Sequence, residues 1–336
     1  MMASENVASG SSSTLRRLRS GWSERLARFG VPALLFVVIA VFSIMLPRTF
    51  FTVSNFETML TGELPVLVLA LSLTVTLTVN EFDLSIGAAA AASAVTVAFL
   101  AGRGVPLGAI VVITLVGGVM LGNAHWFFSG RIGVNSFIVT LATATLLSGV
   151  ALLLSNGQTL TISQKSPVAA LYDAQLGGVP VIWFAVATLA LGIGVVLDRY
   201  PLGRNLTFVG QSGDAARLAG LRVQRLKRGA FVVGAILSVG TGFVALSQLG
   251  SADPGIGNNF LLPAFAAAYL GSTTIRPGRF NVWGTVCGFY FVNVSVAGLT
   301  LLGGAAWVQE VFNGAVLLAA VVMSRMVALR VEGRRS

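Results

Sequence analysis

Ten runs of apolar residues divide the chain, near 31–50, 59–79, 84–101, 105–128, 135–155, 180–197, 229–249, 260–275, 281–302 and 306–324. None shows the every-second-residue alternation of a half-buried strand. Most approach the roughly 20 residues that a helix needs to cross hydrocarbon. The pattern therefore predicts an all-α fold, a polytopic transmembrane bundle of about ten helices. Two runs are weaker as full spans, because 84–101 is short and 260–275 contains Pro263. Each is a place for a broken or re-entrant helix, which a membrane tolerates only where protein or a cavity covers it.

Composition strengthens this reading. The 336 residues are 55% hydrophobic and 10% charged, whereas a soluble domain carries roughly 25% charge. The net charge of +10 points first to orientation in a membrane and only then to nucleic acid. An even number of spans returns the C-terminus to the side of the N-terminus. With that side inside, the cytoplasm receives the five arginines from Arg16 to Arg28, Arg131, the basic residues from Arg199 to Arg228, Arg276, Arg279 and those from Arg325 onward. Arg48, Arg103 and Lys165 alone fall outside. One span more or fewer would scatter the charges, so both termini are expected in the cytoplasm of a bacterial inner membrane.

The expected organisation is a cytoplasmic tail over 1–30, one transmembrane domain over 31–326 with a cytoplasmic loop at 198–228, and a second cytoplasmic tail over 327–336. The arginine-bearing start followed by Val31 to Leu46 imitates a signal peptide. No small-residue cleavage site follows it, so it is expected to remain as the first span. Helix 2 would run inward and helix 7 outward, a topology that permits an inverted repeat of helices 2–5 and 7–10. No self-similarity is evident along the chain, so the repeat is an expectation from topology alone.

Chemistry-bearing residues are scarce. There is one histidine, His125, and one cysteine, Cys287, and neither an H-E-x-x-H pattern nor a P-loop occurs. No catalytic residue, metal ligand or cofactor site is expected in this chain. His125, beside Trp126, reads as an interfacial or packed helix-end residue, and Cys287 as a small apolar filler. Carboxylates within spans, the usual mark of ion coupling, are few. Asp83 and Ser85 open helix 3 and are placed to cap it; the functional alternative is that they face a solute path. The other candidates for a sparsely polar path are Asn135, Phe137, Thr140, Asn258, Phe260 and Asn293, with interhelical packing as the plain reading of each. Within the basic loop, Asp214-Ala215-Ala216-Arg217-Leu218-Ala219-Gly220-Leu221 predicts one short helix ending at Gly220, too short to be stable without a partner surface.

These residues carry a resemblance. Asp214-Ala215-Ala216 with Gly220 resembles the E-A-A-x-x-x-G signature of ABC-importer permeases, with Asp in place of Glu. Phe82-Asp83-Leu84-Ser85-Ile86-Gly87 is similar to the I-D-L-S-V-G of the ribose/galactose/xylose class of sugar permeases, and Phe137-Ile138-Val139-Thr140-Leu141-Ala142-Thr143 to its F-I-V-T-L-G-T. Gly250-Ser251-Ala252-Asp253-Pro254 and Leu270-Gly271-Ser272-Thr273 follow in the family's order. The departures are Asn80-Glu81, where the class has G-G, and Leu261 to Ala267, where it has E-L-D-A-I-A-A.

The resemblance implies the permease subunit of a binding-protein-dependent importer. It implies a second, identical permease chain, a cytoplasmic ATPase with two nucleotide-binding halves that carries ATP and Mg, and a periplasmic or lipid-anchored sugar-binding protein. It assigns Asp214, Ala215, Ala216, Arg217, Gly220 and Leu221 to coupling with that ATPase. The competing reading is an ion-coupled secondary transporter or a facilitative channel for a small polar solute; an intramembrane enzyme would need a paired nucleophile and base, which the sequence does not supply.

Overall fold

A computed structural model describes residues 28–163 and 166–332, with side chains to 326. Residues 1–27 of the tail expected over 1–30, residues 333–336 of the tail expected over 327–336, and Lys165 lie outside the described residues, while 28–30 and 327–332 of those tails are helical. All ten apolar runs are helical. They are α1 (Arg28–Met45), α3 (Leu64–Thr78), α4 (Ile86–Gly102), α5 (Leu107–Trp126), α6 (Ser136–Ser155), α8 (Val181–Arg199), α11 (Val223–Leu249), α12 (Gly257–Ser272), α13 (Val282–Leu301) and α14 (Ala306–Glu332). Shorter helices are α2 (Val53–Thr61) ahead of α3, α7 (Ala170–Asp173), and α9 (Pro201–Gln211) with α10 (Gly213–Leu218). Among the described residues, eight segments are long and apolar enough to cross a membrane, α2 and α3 counting as one; α4 and α12 are shorter.

The helices form a buried inner group and an outer ring. Every residue of α3 is buried, and α3 packs against α11 and α12, while α11 packs against α3, α4 and α5. With α3 sealed on all sides, its hydroxyls have to find partners inside the bundle. The Ser72 hydroxyl donates to the Gly234 carbonyl (2.8 Å), and the Thr74 and Thr285 hydroxyls share a hydrogen bond of 2.7 Å. By contrast α1, α5, α6, α8 and α14 turn largely apolar, exposed faces outward.

Contacts sort the connections into two ends. At one end the Arg28 carbonyl accepts from the Ile275 amide (3.0 Å) and the Thr274 hydroxyl (2.8 Å), Arg276 pairs with Asp198 at 2.6 Å, and Arg228 donates to Asn123 at 2.6 Å. This end gathers the described basic residues that the sequence assigns to one side. At the other, Leu160–Thr161 pairs with Ser251–Ala252, and Thr159 donates to Asp253 (3.1 Å).

The two weak runs begin deep inside the molecule. The chain leaves α3 through Asn80 (φ +58°) and leaves α11 through Gly250 (φ +66°), then returns through residues 81–85 to α4, and through the short strand Ser251–Ala252 and a turn at 254–256 to α12. Along α11, Lys227 meets Glu81, Val239 accepts from Ser93 of α4, and Gln248 reaches Gly62. The start of α4 therefore lies opposite the middle of a helix about 40 Å long. There Gly87 and Gly257 abut, and a Cβ on either would collide with the carbonyl oxygen of the other. Pro263 leaves α12 continuous.

The two returns match. The Asp83 carboxylate accepts from the Ser85 amide at 2.9 Å, and the Asp253 carboxylate accepts from the Gly255 amide at 2.7 Å. Asn80, Asp83, Ser85 and Gly87 thus stand at one constant spacing from Gly250, Asp253, Gly255 and Gly257. Packing pairs correspond as well: α4 on α11 with α12 on α3, and α4 on α6 with α12 on α14.

Candidate functional site

Three places carry polar chemistry: a turn on the basic end, the Asp83 return beneath it, and a cup at the opposite end. The basic loop holds two helices rather than the single one expected. Pro201 opens α9 at a position where its missing N–H costs nothing. Gly210 near the end of α9 lies so close to the Thr78 carbonyl that a Cβ would not fit. Ser212 then caps α10 by accepting from the Ala215 amide (3.4 Å). Helix α10 ends where the Leu221 amide donates to the Ala216 carbonyl (3.0 Å) and the Gly220 amide to that of Arg217 (3.0 Å). Gly220 takes φ +81° to make that turn, as the left-handed position after a helix favours. Ala216 is buried and Leu221 half-buried, while Asp214, Ala215, Arg217 and Gly220 face out. Asp214 and Arg217 form a loose pair at 3.7 Å. Leu218 is 91% exposed at the tip, a feature the motif alone did not single out.

Beneath this turn the return at 80–85 is tied to two helices, α11 and α6. Lys227 pairs with Glu81. The Phe82 amide donates to the Ser136 hydroxyl (3.3 Å) and the Leu84 amide to that of Thr140 (3.1 Å). Asp83 and Ser85 are buried, and the expected capping by them is corrected: the Ser85 hydroxyl donates to Asp83 (2.6 Å), and neither side chain caps α4. The reason is the compact turn, which uses the carboxylate before the helix begins. The Asp83 carboxylate also lies 3.6 Å from Nδ1 of His125. His125 is fully buried with its ring edge-on to Phe231 at 5.8 Å, and neither ring nitrogen makes a hydrogen bond. Asn135 caps α6 by accepting from the Phe137 amide (2.9 Å), and Phe137 is exposed on the outer face of that helix.

At the opposite end a cavity of about 280 Å³ runs inward between α3, α11, α12, α13 and α14. Of the sequence candidates, Phe260 and Asn293 line it, and Asn258 is exposed beside it. Thus the candidates divide: Asp83, Ser85, Asn135, Phe137 and Thr140 gather at the basic end, the others at the cup. Sequence reasoning missed Gln248, Asn259 and Asn313, which also line the cup. Among the described residues no group of three or more His, Cys, Asp or Glu is arranged to hold a metal.

A family model described as branched-chain amino acid transport system, permease component, matches residues 55–321. The chain belongs to this permease family. It is 29% identical over 221 residues to the ribose import permease protein RbsC of Haemophilus influenzae, covering 65% of this chain and 68% of the relative. It is 31% identical over 199 residues to the L-arabinose transport system permease protein AraH of Escherichia coli, 59% and 60% of the two chains. It is 25% identical over 306 residues to the D-allose transport system permease protein AlsC of Escherichia coli, 90% and 92%. No solved structure matches. This permease is accordingly a multi-pass protein of the bacterial inner membrane. The stretches around Asp83 and Asp253, two of the motif segments noted in the sequence, are the two matching returns.

Proposed function

We propose that this permease forms the transmembrane pathway of an ATP-driven importer for a monosaccharide or a related polar solute. The observation that carries the proposal is the α9–α10 turn: a short helix, capped by Ser212 and closed by Gly220, that presents Leu218 to solvent from the most basic end of the molecule. Six residues of helix cannot persist on propensity alone, and an exposed leucine on so small an element gains from a partner's pocket. In this reading the partner is a cytoplasmic ATPase with two nucleotide-binding halves, which holds ATP and Mg and performs the hydrolysis. The basic end then faces the cytoplasm and both termini lie there.

The mechanical route follows from rigid contacts. Movement of α10 is passed to α9, and Gly210 bears on the end of α3 at Thr78. From there it reaches the Glu81–Lys227 pair and the Asp83 return, which is fastened to α6 through Ser136 and Thr140. The return leads to the Gly87–Gly257 crossing, so a shift at the cytoplasmic surface can change the packing at mid-membrane. Helices α3–α6 and α11–α14 are read as an inverted repeat, supported by the matching returns and packing pairs. The exposed apolar faces of α6 and α14 leave surface for a second, identical permease. A periplasmic or lipid-anchored binding protein delivers the solute; sugar is favoured as the solute by the relatives named for ribose, arabinose and allose.

Reconstitution in liposomes tests the proposal. Uptake should require the partner ATPase and ATP. Uptake by this chain alone, or driven by an ion gradient, would overturn it in favour of a channel or secondary transporter.

A further inference from the structure

The outer ring of helices does not close between α8 and α11. Helix α8 packs on α9, α13 and α3, and a cleft of about 1000 Å³ separates it from the first half of α11. Two glycines open this cleft: Gly192 of α8 and Gly229 of α11 line it, and a Cβ on either would meet nothing within 4 Å. Buried Val75 of α3 forms its back, and Leu202 and Leu206 of α9 line its end at the basic surface. Phe184, Leu189 and Val233 also line it while remaining more than a third exposed, so the cleft opens sideways, on a face that a bilayer covers. Of the lining side chains only Thr188 and Arg225 are polar. Arg225 stands in the first turn of α11, and its guanidinium makes neither an ion pair nor a side-chain hydrogen bond with the described residues. The acids of this end are engaged elsewhere, Glu81 with Lys227, Asp198 with Arg276 and Asp214 with Arg217.

An apolar trough that ends in one unpaired cation excludes most occupants. A hydrophilic solute would lose water and find almost nothing to bond along the walls. An empty trough would forfeit dispersion contacts on every wall. An apolar helix from a second copy would leave Arg225 beside hydrocarbon without a partner, a costly place for a charge. An amphiphile with a negative head satisfies both parts. We infer that the cleft is a binding site for one anionic phospholipid, with its acyl chains between α8 and α11 and its phosphate on Arg225. Basic pockets between membrane helices take anionic headgroups in this way, and the arginine fork matches a phosphate with two parallel hydrogen bonds. The first turn of α11 adds the positive end of the helix dipole. The volume stands at the top of the roughly 300–1,000 Å³ usual for small-molecule sites, which suits acyl chains rather than a headgroup alone. The site requires only that the chain spans a bilayer, and it is independent of what the permease carries.

The test is native mass spectrometry of the full chain in detergent, with phosphatidylglycerol or phosphatidylcholine added. One phosphatidylglycerol should stay bound under activation that strips phosphatidylcholine, and it should raise the melting temperature. Arg225→Gln should weaken that retention about fivefold, the worth of one arginine at a charged membrane surface, and Arg225→Lys should keep part of it. Gly192→Leu combined with Gly229→Leu fills the trough and should expel the lipid although Arg225 is intact. Without added lipid these variants should melt like the native chain, which separates loss of the site from misfolding. Glycerol 3-phosphate, which carries the anion without the chains, should not compete. Equal retention of the two lipids, retention unchanged by Arg225→Gln, or competition by glycerol 3-phosphate would each overturn the inference. So would a dimer that the double glycine variant converts to monomer, because a second copy would then occupy the cleft.

Discussion

Gly87 and Gly257 meet backbone to backbone where α4 and α12 begin, so tightly that neither has room for a methyl group. Small residues let membrane helices approach closely where no hydrophobic effect drives them together. A side chain here must push apart the two helices on which both halves of the bundle pack. Gly257→Val should therefore destabilise the fold by about 1–3 kcal/mol, read as a lower melting temperature in detergent, with Gly87→Ala a milder case. In contrast, Gly117→Ala, where a Cβ meets nothing within 4 Å, should melt like the native chain.

The Asp83 return depends on acceptance, not on charge alone. Asp83 takes hydrogen bonds from the amide and the hydroxyl of Ser85, and an asparagine oxygen can accept the amide bond equally well. Asp83→Asn should retain most of the stability, whereas Asp83→Leu leaves the buried Ser85 amide unpaired at a cost of about 1–3 kcal/mol. Thermal melts of the two variants check this order. Equal loss in both would mean that the electrostatic relation to His125 dominates.

How much of this was legible in the sequence depends on whether the signal is local. A long apolar run specifies a membrane helix by itself, so α5, α6 and α13 were readable. Gly220 was readable too, because a helix stop needs only its own neighbours. The matching returns were not, although the topology permitted a repeat: Asp83 and Asp253 make the same turn between unlike neighbours, Phe82 and Leu84 in one, Ala252 and Pro254 in the other. The cup was half legible. Phe260 and Asn293 stood out as isolated groups in apolar runs, but Gln248 and Asn313 lie on elements remote in sequence, and a lone carboxamide reads alike whether it faces a helix or a cavity.

Gly220 holds φ +81° at the end of α10, a conformation costly for any residue with a branched Cβ. Gly220→Val should therefore distort the turn without touching the membrane core. In the assembled importer, uptake should fall about tenfold or more while ATP hydrolysis persists, as roughly 1–2 kcal/mol of local strain displaces Leu218 from its seat. Leu218→Glu should give a similar loss by a different route. Parallel assays of hydrolysis and uptake distinguish uncoupling from simple misfolding.

Orientation can be read with single cysteines, since Cys287 is the only native one. In a Cys287→Ser background, Leu218→Cys sits at the tip of the basic end and Gln175→Cys in the exposed hairpin before α8. A membrane-impermeant maleimide applied to intact cells should label position 175 and spare position 218 until the membrane is opened. The reverse pattern would invert the assignment of the cytoplasmic face and, with it, the docking side of the ATPase.

Glu81 and Lys227 join the Asp83 return to the first turns of α11, at a site where the two side chains are only 11% and 24% exposed. Partial burial makes the pair stronger than a surface bridge, yet each charge has lost water, so deleting one partner strands the other. Glu81→Gln and Lys227→Met should each destabilise the protein, and the double variant should lose less than their sum, by on the order of 1–3 kcal/mol. Uptake provides the sharper reading. If the pair carries motion from α9 into the return, both single variants should slow ATP-driven uptake more than they lower stability. Reversing the charges as Glu81→Lys with Lys227→Glu should restore part of the rate, because the contact and not the sign at either position transmits the movement.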